Sequence, residues 1–200
     1  MPLIVVVGGP CSGKTTIANK LKEFIEKEKG KKVIHINEEL VGVNKIEFYK
    51  DSTVEKIIRA KLKSNVEKNL DDKTFVIIDS LNYIKGYRYE LYCLVRTYMT
   101  RHCVVRFIIK KVYCKTDLEI CLKLNNNSVY PEDLLKDLYS RMEEPNPHSI
   151  FLLIKDRWDN PMVQINFGEE INYEGIYSNL IEGKKPRDPV STKNVLFKIY

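Results

Sequence analysis

The chain has 200 residues, 44% hydrophobic and 30% charged, with only 9 Gly and 8 Pro, which excludes a disordered, collagenous or low-complexity polymer and fits one principal globular domain. Its net charge of +6 favours an anionic partner while falling well short of a histone-like tail. Five cysteines (Cys11, Cys93, Cys103, Cys114, Cys121) form an odd set without a C-x-x-C pair, so neither a disulfide framework nor a structural metal is expected.

Short apolar runs alternate with longer stretches of helical periodicity, which predicts an α/β fold around a parallel sheet. The first strand is Leu3 to Val7. It is too short for a signal peptide or a membrane span, so a cytoplasmic address without membrane contact is expected, with the nucleus as a second compartment. A helix follows from about Lys14 to Lys29, burying Ile17, Leu21, Phe24 and Ile25, and Gly30 closes it. The second strand is Val33 to Ile36, and Glu38 to Lys50 reads as irregular. The capping box Ser52-x-x-Glu55 then opens a helix with Val54, Ile57, Ile58, Leu62 and Val66 on its buried stripe.

The third strand, Phe75 to Ile78, is wholly apolar, as a parallel strand covered on both faces should be, and ends in Asp79. An aromatic-rich helix spans Gly86 to Met99, its tyrosines read as packing residues with a base-stacking platform as the alternative, and a fourth strand runs from Val104 to Ile109. Thr116-x-x-Glu119 is a second capping box, starting a short helix that ends near Asn125. Pro131 suits the first turn of a helix reaching Met142, and Glu143-Glu144-Pro145 breaks the pattern. A fifth strand from Met162 to Ile165 and a helix from Tyr173 to Ile181 complete a domain of residues 1–182. Residues 183–200 read as a linker and the start of a further domain.

Gly8-Gly9-Pro10-Cys11-Ser12-Gly13-Lys14-Thr15 matches G-x-x-x-x-G-K-[ST] between a buried strand and a helix start. Such a turn aims backbone N–H groups and the positive helix end at phosphate oxygens, so it predicts a nucleoside triphosphate site. Lys14 should reach the β/γ-phosphates, Thr15 should ligate Mg²⁺, and Thr16 should touch the α-phosphate. Asp79 at a strand end is placed to hold the metal or its water, the alternative being a helix cap. Asn44-Lys45-Ile46-Glu47 imitates a guanine reader but ends in Glu and precedes the metal acid, so ATP is preferred. Phosphoryl chemistry also needs added positive charge, for which Arg141 and Arg157 are candidates, each equally able to form a structural ion pair. Between Lys85 and Lys115 there are eight cations against one acid, Glu90. That bias makes Lys85, Arg88, Arg96 and Arg101 candidates for a nucleic-acid face, against the reading of scattered solvated charges.

The block Asp79-Ser80-Leu81-Asn82-Tyr83-Ile84-Lys85-Gly86-Tyr87-Arg88-Tyr89-Glu90-Leu91-Tyr92-Cys93 resembles the Elongator-associated P-loop ATPases of the killer-toxin-insensitivity family, relatives of the seryl-tRNA(Sec) kinases. The likeness extends through Tyr130-Pro131-Glu132, Arg141-Met142-Glu143-Glu144-Pro145 and Arg157-Trp158-Asp159. It implies a kinase-type five-stranded parallel sheet of order 2-3-1-4-5, ATP hydrolysis with Mg²⁺, binding of tRNA, and assistance to the Elongator complex in modifying wobble uridines. Two other functions stay open: a kinase acting on an aminoacyl-tRNA or small hydroxyl, and a non-hydrolysing nucleotide-binding Elongator scaffold. The kinase branch places paired arginines in its lid, whereas between Glu119 and Tyr130 this chain has Lys123 alone.

Overall fold

The computed structural model describes residues 2–42, 44–71, 73–108, 117–125, 129–145, 157–159, 161–166 and 170–182. Among these residues five strands, β1 (Leu3–Val7), β2 (Lys32–Asn37), β3 (Thr74–Asp79), β4 (His102–Ile108) and β5 (Met162–Asn166), pair in the order β2-β3-β1-β4-β5. Every pairing is parallel. β1 and β3 are buried along their whole length, which is why both read as unbroken apolar runs. The expected class and strand order are both present.

Among the described residues seven helices connect and cover the strands: α1 (Lys14–Lys29), α2 (Lys45–Lys50), α3 (Ser52–Asn69), α4 (Lys85–Thr97), α5 (Asp117–Leu124), α6 (Glu132–Ser140) and α7 (Tyr173–Glu182). From β1 the chain crosses leftward to β2, and from β2 onward it steps back to the right. Right-handed crossovers therefore put α1 on one face and α3 and α4 on the other. α7 returns to the face of α1, where Phe24 stacks on Tyr173 with ring centroids 5.6 Å apart. Gly30 ends α1 with φ 60°, and its N–H bonds Ile25 O.

The sequence expectations need correction at several places. The segment after β2 is ordered: a single 3₁₀ turn at Glu39–Val41 precedes α2, which Asn44 caps by accepting from Ile46 N–H at 2.8 Å. α3 is capped by Asp51, which accepts from Thr53 and Val54 N–H, so the predicted Ser52 box does not form. Its buried stripe is Glu55, Ile58, Leu62 and Val66, leaving Val54 38% and Ile57 52% exposed. A carboxylate replaces the expected aliphatics because cations neutralise it: Glu55 pairs with Arg59 at 2.7 Å and Arg141 at 3.2 Å, and accepts from the Tyr83 hydroxyl at 2.6 Å. Pro131 is the N-cap of α6, one position before the helix proper. Thr116 and residues 183–200, predicted as a cap and a linker, lie outside the described residues.

One interaction ties the loop after β3 to two distant segments. Arg88 of α4 is 1% exposed, and its Nε and Nη2 donate to Oδ1 and Oδ2 of Asp159 at 2.8 and 3.2 Å. Its Nη1 reaches the carbonyls of Asn82, Tyr83 and Glu143 at 3.1, 3.0 and 2.9 Å. Glu143 also accepts from Lys85 N–H at 2.5 Å, capping α4 where Ile84 offers no side chain. A buried guanidinium with every nitrogen engaged is stabilising only while its partners remain, and losing one strands a charge at a cost of about 3–5 kcal/mol. Asp159→Ala should therefore lower the melting temperature by about 10 °C, and adding Arg88→Met should recover part of the loss. Calorimetry on both variants checks this; an Asp159→Ala protein melting like wild type would rule the clamp out.

Candidate active site

The site grows from the carboxyl ends of β1, β2 and β3, where an open α/β sheet presents its crevice. Between β1 and α1 the backbone turns through two left-handed residues, Cys11 (φ 56°) and Gly13 (φ 89°). Glycine adopts that region freely, whereas for Cys11 it costs roughly 1–2 kcal/mol, strain of the kind that marks functional loops. The loop is tied to the segment after β3 by Gly8 N–H, which donates to Leu81 O at 3.4 Å. Lys14 folds back over the loop, its Nζ donating to Gly9 O at 2.5 Å and Ser12 Oγ at 3.4 Å. Burial lowers the Lys14 pKa from its ordinary value, against the opposing pull of the Asp79 and Glu38 carboxylates.

Asp79 ends β3 with 2% exposure, in register with Val6 of β1 and Asn37 of β2. Its Oδ2 lies 3.1 Å from His35 Nε2, a contact that fixes the orientation of the carboxylate. Cys11 through Thr16 and Asp79 line one cleft of about 230 Å³. Thr15 and Asp79 both line this cleft, and their hydroxyl and carboxylate oxygens are hard donors of the kind that suits Mg²⁺.

Two further cleft residues escape the sequence reading. Glu38 follows β2, is 5% exposed, and accepts from the Tyr49 hydroxyl at 2.9 Å. Burial first, and Glu38 second, push the Tyr49 hydroxyl well above its usual range, keeping it a neutral donor. The signal for Glu38 was its position: it follows β2 as closely as Asp79 ends β3. Lys45, the first residue of α2, is the other. Asn44 and Lys45, weighed above as a base reader, instead form a helix start.

The arginine candidates separate. Arg141 does not line the cleft; it bonds Asp137 at 2.6 Å, Glu55 at 3.2 Å and the Tyr83 hydroxyl at 2.9 Å, joining α6 to α3. Arg157 opens a 3₁₀ turn, Arg157–Asp159, and its side chain lies outside the described part. Of the proposed nucleic-acid residues, Arg88 is corrected: its guanidinium is closed inside the protein on Asp159 and three carbonyls and presents no charge to a nucleic acid. Lys85, Tyr89, Tyr92 and Arg96 follow the i, i+4, i+7, i+11 spacing of one helix face. Lys85 sits 5.4 Å above the Trp158 ring, Tyr89 packs edge-on against Trp158 at 5.1 Å, and Arg96 lies 5.9 Å from the Tyr92 ring. Arg101 is half-buried at the foot of β4, its carbonyl accepting from Leu3 N–H at 2.8 Å.

Comparison with known proteins gives the chain a family and the fold its relatives. The family model described as "Chromatin associated protein KTI12" matches residues 1–197. Protein KTI12 homolog of Danio rerio is 36% identical over 198 residues, covering 97% of this chain and 67% of that protein. Protein kti12 of Schizosaccharomyces pombe is 38% identical over 206 residues, covering 96% of the chain and 68% of the relative. Of Saccharomyces cerevisiae KTI12 the chain spans 51%, at 35% identity. Among solved structures, Chaetomium thermophilum Kti12 in complex with ADP-AlF3 superposes with a TM-score of 0.75 at 30% identity, covering 90% of this chain and 99% of that one. The APS kinase CysC of Mycobacterium tuberculosis, in complex with AMPPNP and APS, gives a TM-score of 0.63 at 14% identity, covering 90% and 97%, a likeness of fold.

Cys11 reports on the loop directly. Burial raises its thiol pKa, with the Lys14 and Lys45 charges opposing, so alkylation at neutral pH should be slow and should still be accelerating as pH passes 9.0, the ordinary thiol value. A nucleotide in the loop should shield it, slowing alkylation about tenfold at a ligand concentration ten times its Kd. Peptide mapping of the Cys11 adduct with and without Mg²⁺-ATP checks both effects; equal rates in the two samples would place the nucleotide elsewhere.

Proposed function

The chain belongs to the KTI12 family, and from that premise we propose that it is an ATP-hydrolysing factor whose nucleotide cycle serves Elongator-dependent modification of wobble uridines in tRNA. The observation that carries the hydrolytic part is the convergence of Lys14, Thr15 and Asp79 on one cleft beside the strained loop. The relative from Chaetomium thermophilum was solved with ADP-AlF3, a ligand whose planar fluoride mimics a phosphoryl group in flight, and this supports a site built for phosphoryl transfer.

In this reading the loop amides and the Lys14 ammonium hold the β- and γ-phosphates, replacing water with fixed positive groups. Thr15 and Asp79 hold Mg²⁺, which neutralises charge on the phosphate oxygens when bound. His35 keeps the Asp79 carboxylate turned toward the cleft. Glu38, steadied by Tyr49, adds a second acid to the lining of the cleft, where an attacking water can donate a hydrogen bond to it.

The tRNA part rests on the sequence resemblance and on the α4 face. Cations alternating with aromatic rings suit a nucleic-acid strand, since ammonium and guanidinium groups meet phosphates while ring faces accept stacked bases. Lys85, Tyr89, Trp158, Tyr92 and Arg96 supply that alternation. The domain boundary near residue 182, with a second tRNA-gripping unit beyond it, belongs to the same proposal.

Two measurements test this. Lys14→Ala and Asp79→Ala should each cut Mg²⁺-dependent phosphate release at least about 100-fold, and wild-type rates in both would refute the assignment. Filter binding of tRNA across a salt series should show affinity falling as salt rises, and Lys85→Ala with Arg96→Ala should lower the logarithmic slope by about two. An unchanged slope would remove α4 from the interface.

A further inference from the structure

Phosphoryl transfer spreads negative charge over the equatorial oxygens of the moving group, and a cation beyond the loop lysine and the metal meets it in many such sites. Arg141 is turned to Glu55, Asp137 and Tyr83. Among the described residues, the cations lining the cleft are Lys14 and Lys45.

The location of Lys45 is built rather than incidental. It is the first residue of α2, whose entry is fixed by Asn44 accepting from Ile46 N–H. The same helix drives Phe48 and Tyr49 into the core, their ring centroids 4.1 Å apart, and Tyr49 is further tied to Glu38 and Ser80 through its hydroxyl. The helix body is thus anchored, and its first side chain is presented to the cleft on a flexible stem. The charge of Lys45 bears on both the Lys14 ammonium and the Cys11 thiol. Those two groups belong to the phosphate-holding loop, and Lys45 lines the same cleft as Cys11 through Thr16 of that loop. Two ammonium groups facing one cleft repel each other until an anion sits between them.

We propose that Lys45 binds the transferring phosphoryl group of ATP and supplies the positive charge that an arginine supplies in other phosphoryl-transfer enzymes. The assignment rests on the ATP-hydrolysis reading above. In the step it assists, the oxygen of a water forms a bond to the γ-phosphorus while the bond from that phosphorus to the β–γ bridging oxygen breaks. The electron pair leaves on ADP, one water proton is released to solvent, and inorganic phosphate is the second product. Lys45 neither gives nor takes a proton; its N–H groups donate to the phosphoryl oxygens, most strongly as charge builds on them.

A group of this kind is felt in the transition state more than in the ground state. The test is titration of the chain with Mg²⁺-ADP, alone and with aluminium fluoride, alongside steady-state ATP hydrolysis. Lys45→Met should leave ADP affinity within about threefold, lose the tightening that aluminium fluoride brings, and lower kcat about 100-fold. Lys45→Arg should restore most of both. If Lys45→Met keeps the aluminium fluoride effect and the wild-type kcat, the proposal is overturned while the hydrolysis reading stands. If wild-type protein neither binds ADP nor hydrolyses ATP, the reading itself has failed and takes this assignment with it. An equal loss of ADP and ADP–aluminium fluoride affinity would make Lys45 a ground-state contact and would also overturn the proposal.

Discussion

The buried pair between Arg88 and Asp159 is the constraint around which the active side of this molecule is organised. Removing a guanidinium from water is expensive, and only a geometry that satisfies all its donors offsets that cost. Here the satisfying groups come from three places far apart in the chain: the loop after β3, the segment leaving α6, and the 3₁₀ turn before β5. Because the guanidinium is planar and rigid, it fixes the mutual positions of those segments. The Asp79 carboxylate stands at the head of the first of them, so the Asp79 end of the cleft inherits that rigidity.

A second set of buried charged groups ties further elements together. Glu55 gathers Arg59, Arg141 and the Tyr83 hydroxyl, and thereby joins α3, α6 and the loop after β3. Glu38 and Tyr49 do the same for β2 and α2. β1 and the Phe75 to Ile78 stretch of β3 are wholly apolar and buried, and the buried polar groups Asp79, Ser80 and Glu38 collect at the carboxyl edge of the sheet, where a phosphate-bearing ligand binds in this architecture. α6 is attached to that framework through Arg141 at its C-terminal end, and its far end leads back to α5 beside the loop.

The strands and the phosphate loop are legible from sequence because each rests on a local rule, whereas the order of the strands comes with the family resemblance. Apolar runs buried on both faces have no polar alternation to confuse them, and the glycine-lysine pattern encodes a turn within eight residues. The failures came where long-range pairing decides. The buried stripe of α3 was misassigned at Val54 and Ile57 because nothing near Glu55 in sequence discloses that Arg141, 86 residues away, neutralises it. Arg88 read as a surface cation for the same reason, its partner Asp159 lying 71 residues downstream. The distinctive sequence blocks around Asp79–Cys93, Arg141–Pro145 and Arg157–Asp159 did carry the family resemblance, and in space they are the segments that meet at Arg88. Lys45 and Glu38 have no defined place in a sequence reading that leaves the segment after β2 irregular, because it is α2 that fixes them.

A rigid frame that presents a phosphate loop, two acids and a second lysine to one cleft is the central claim, and a structure of the chain with ADP, Mg²⁺ and aluminium fluoride tests it most directly. The account predicts the β-phosphate within the Gly8–Thr15 turn, the metal between the Thr15 hydroxyl and the Asp79 carboxylate, the fluoride facing Lys14, and the Arg88–Asp159 pair unchanged. Nucleotide bound outside that turn, or a metal held without Asp79, would contradict it.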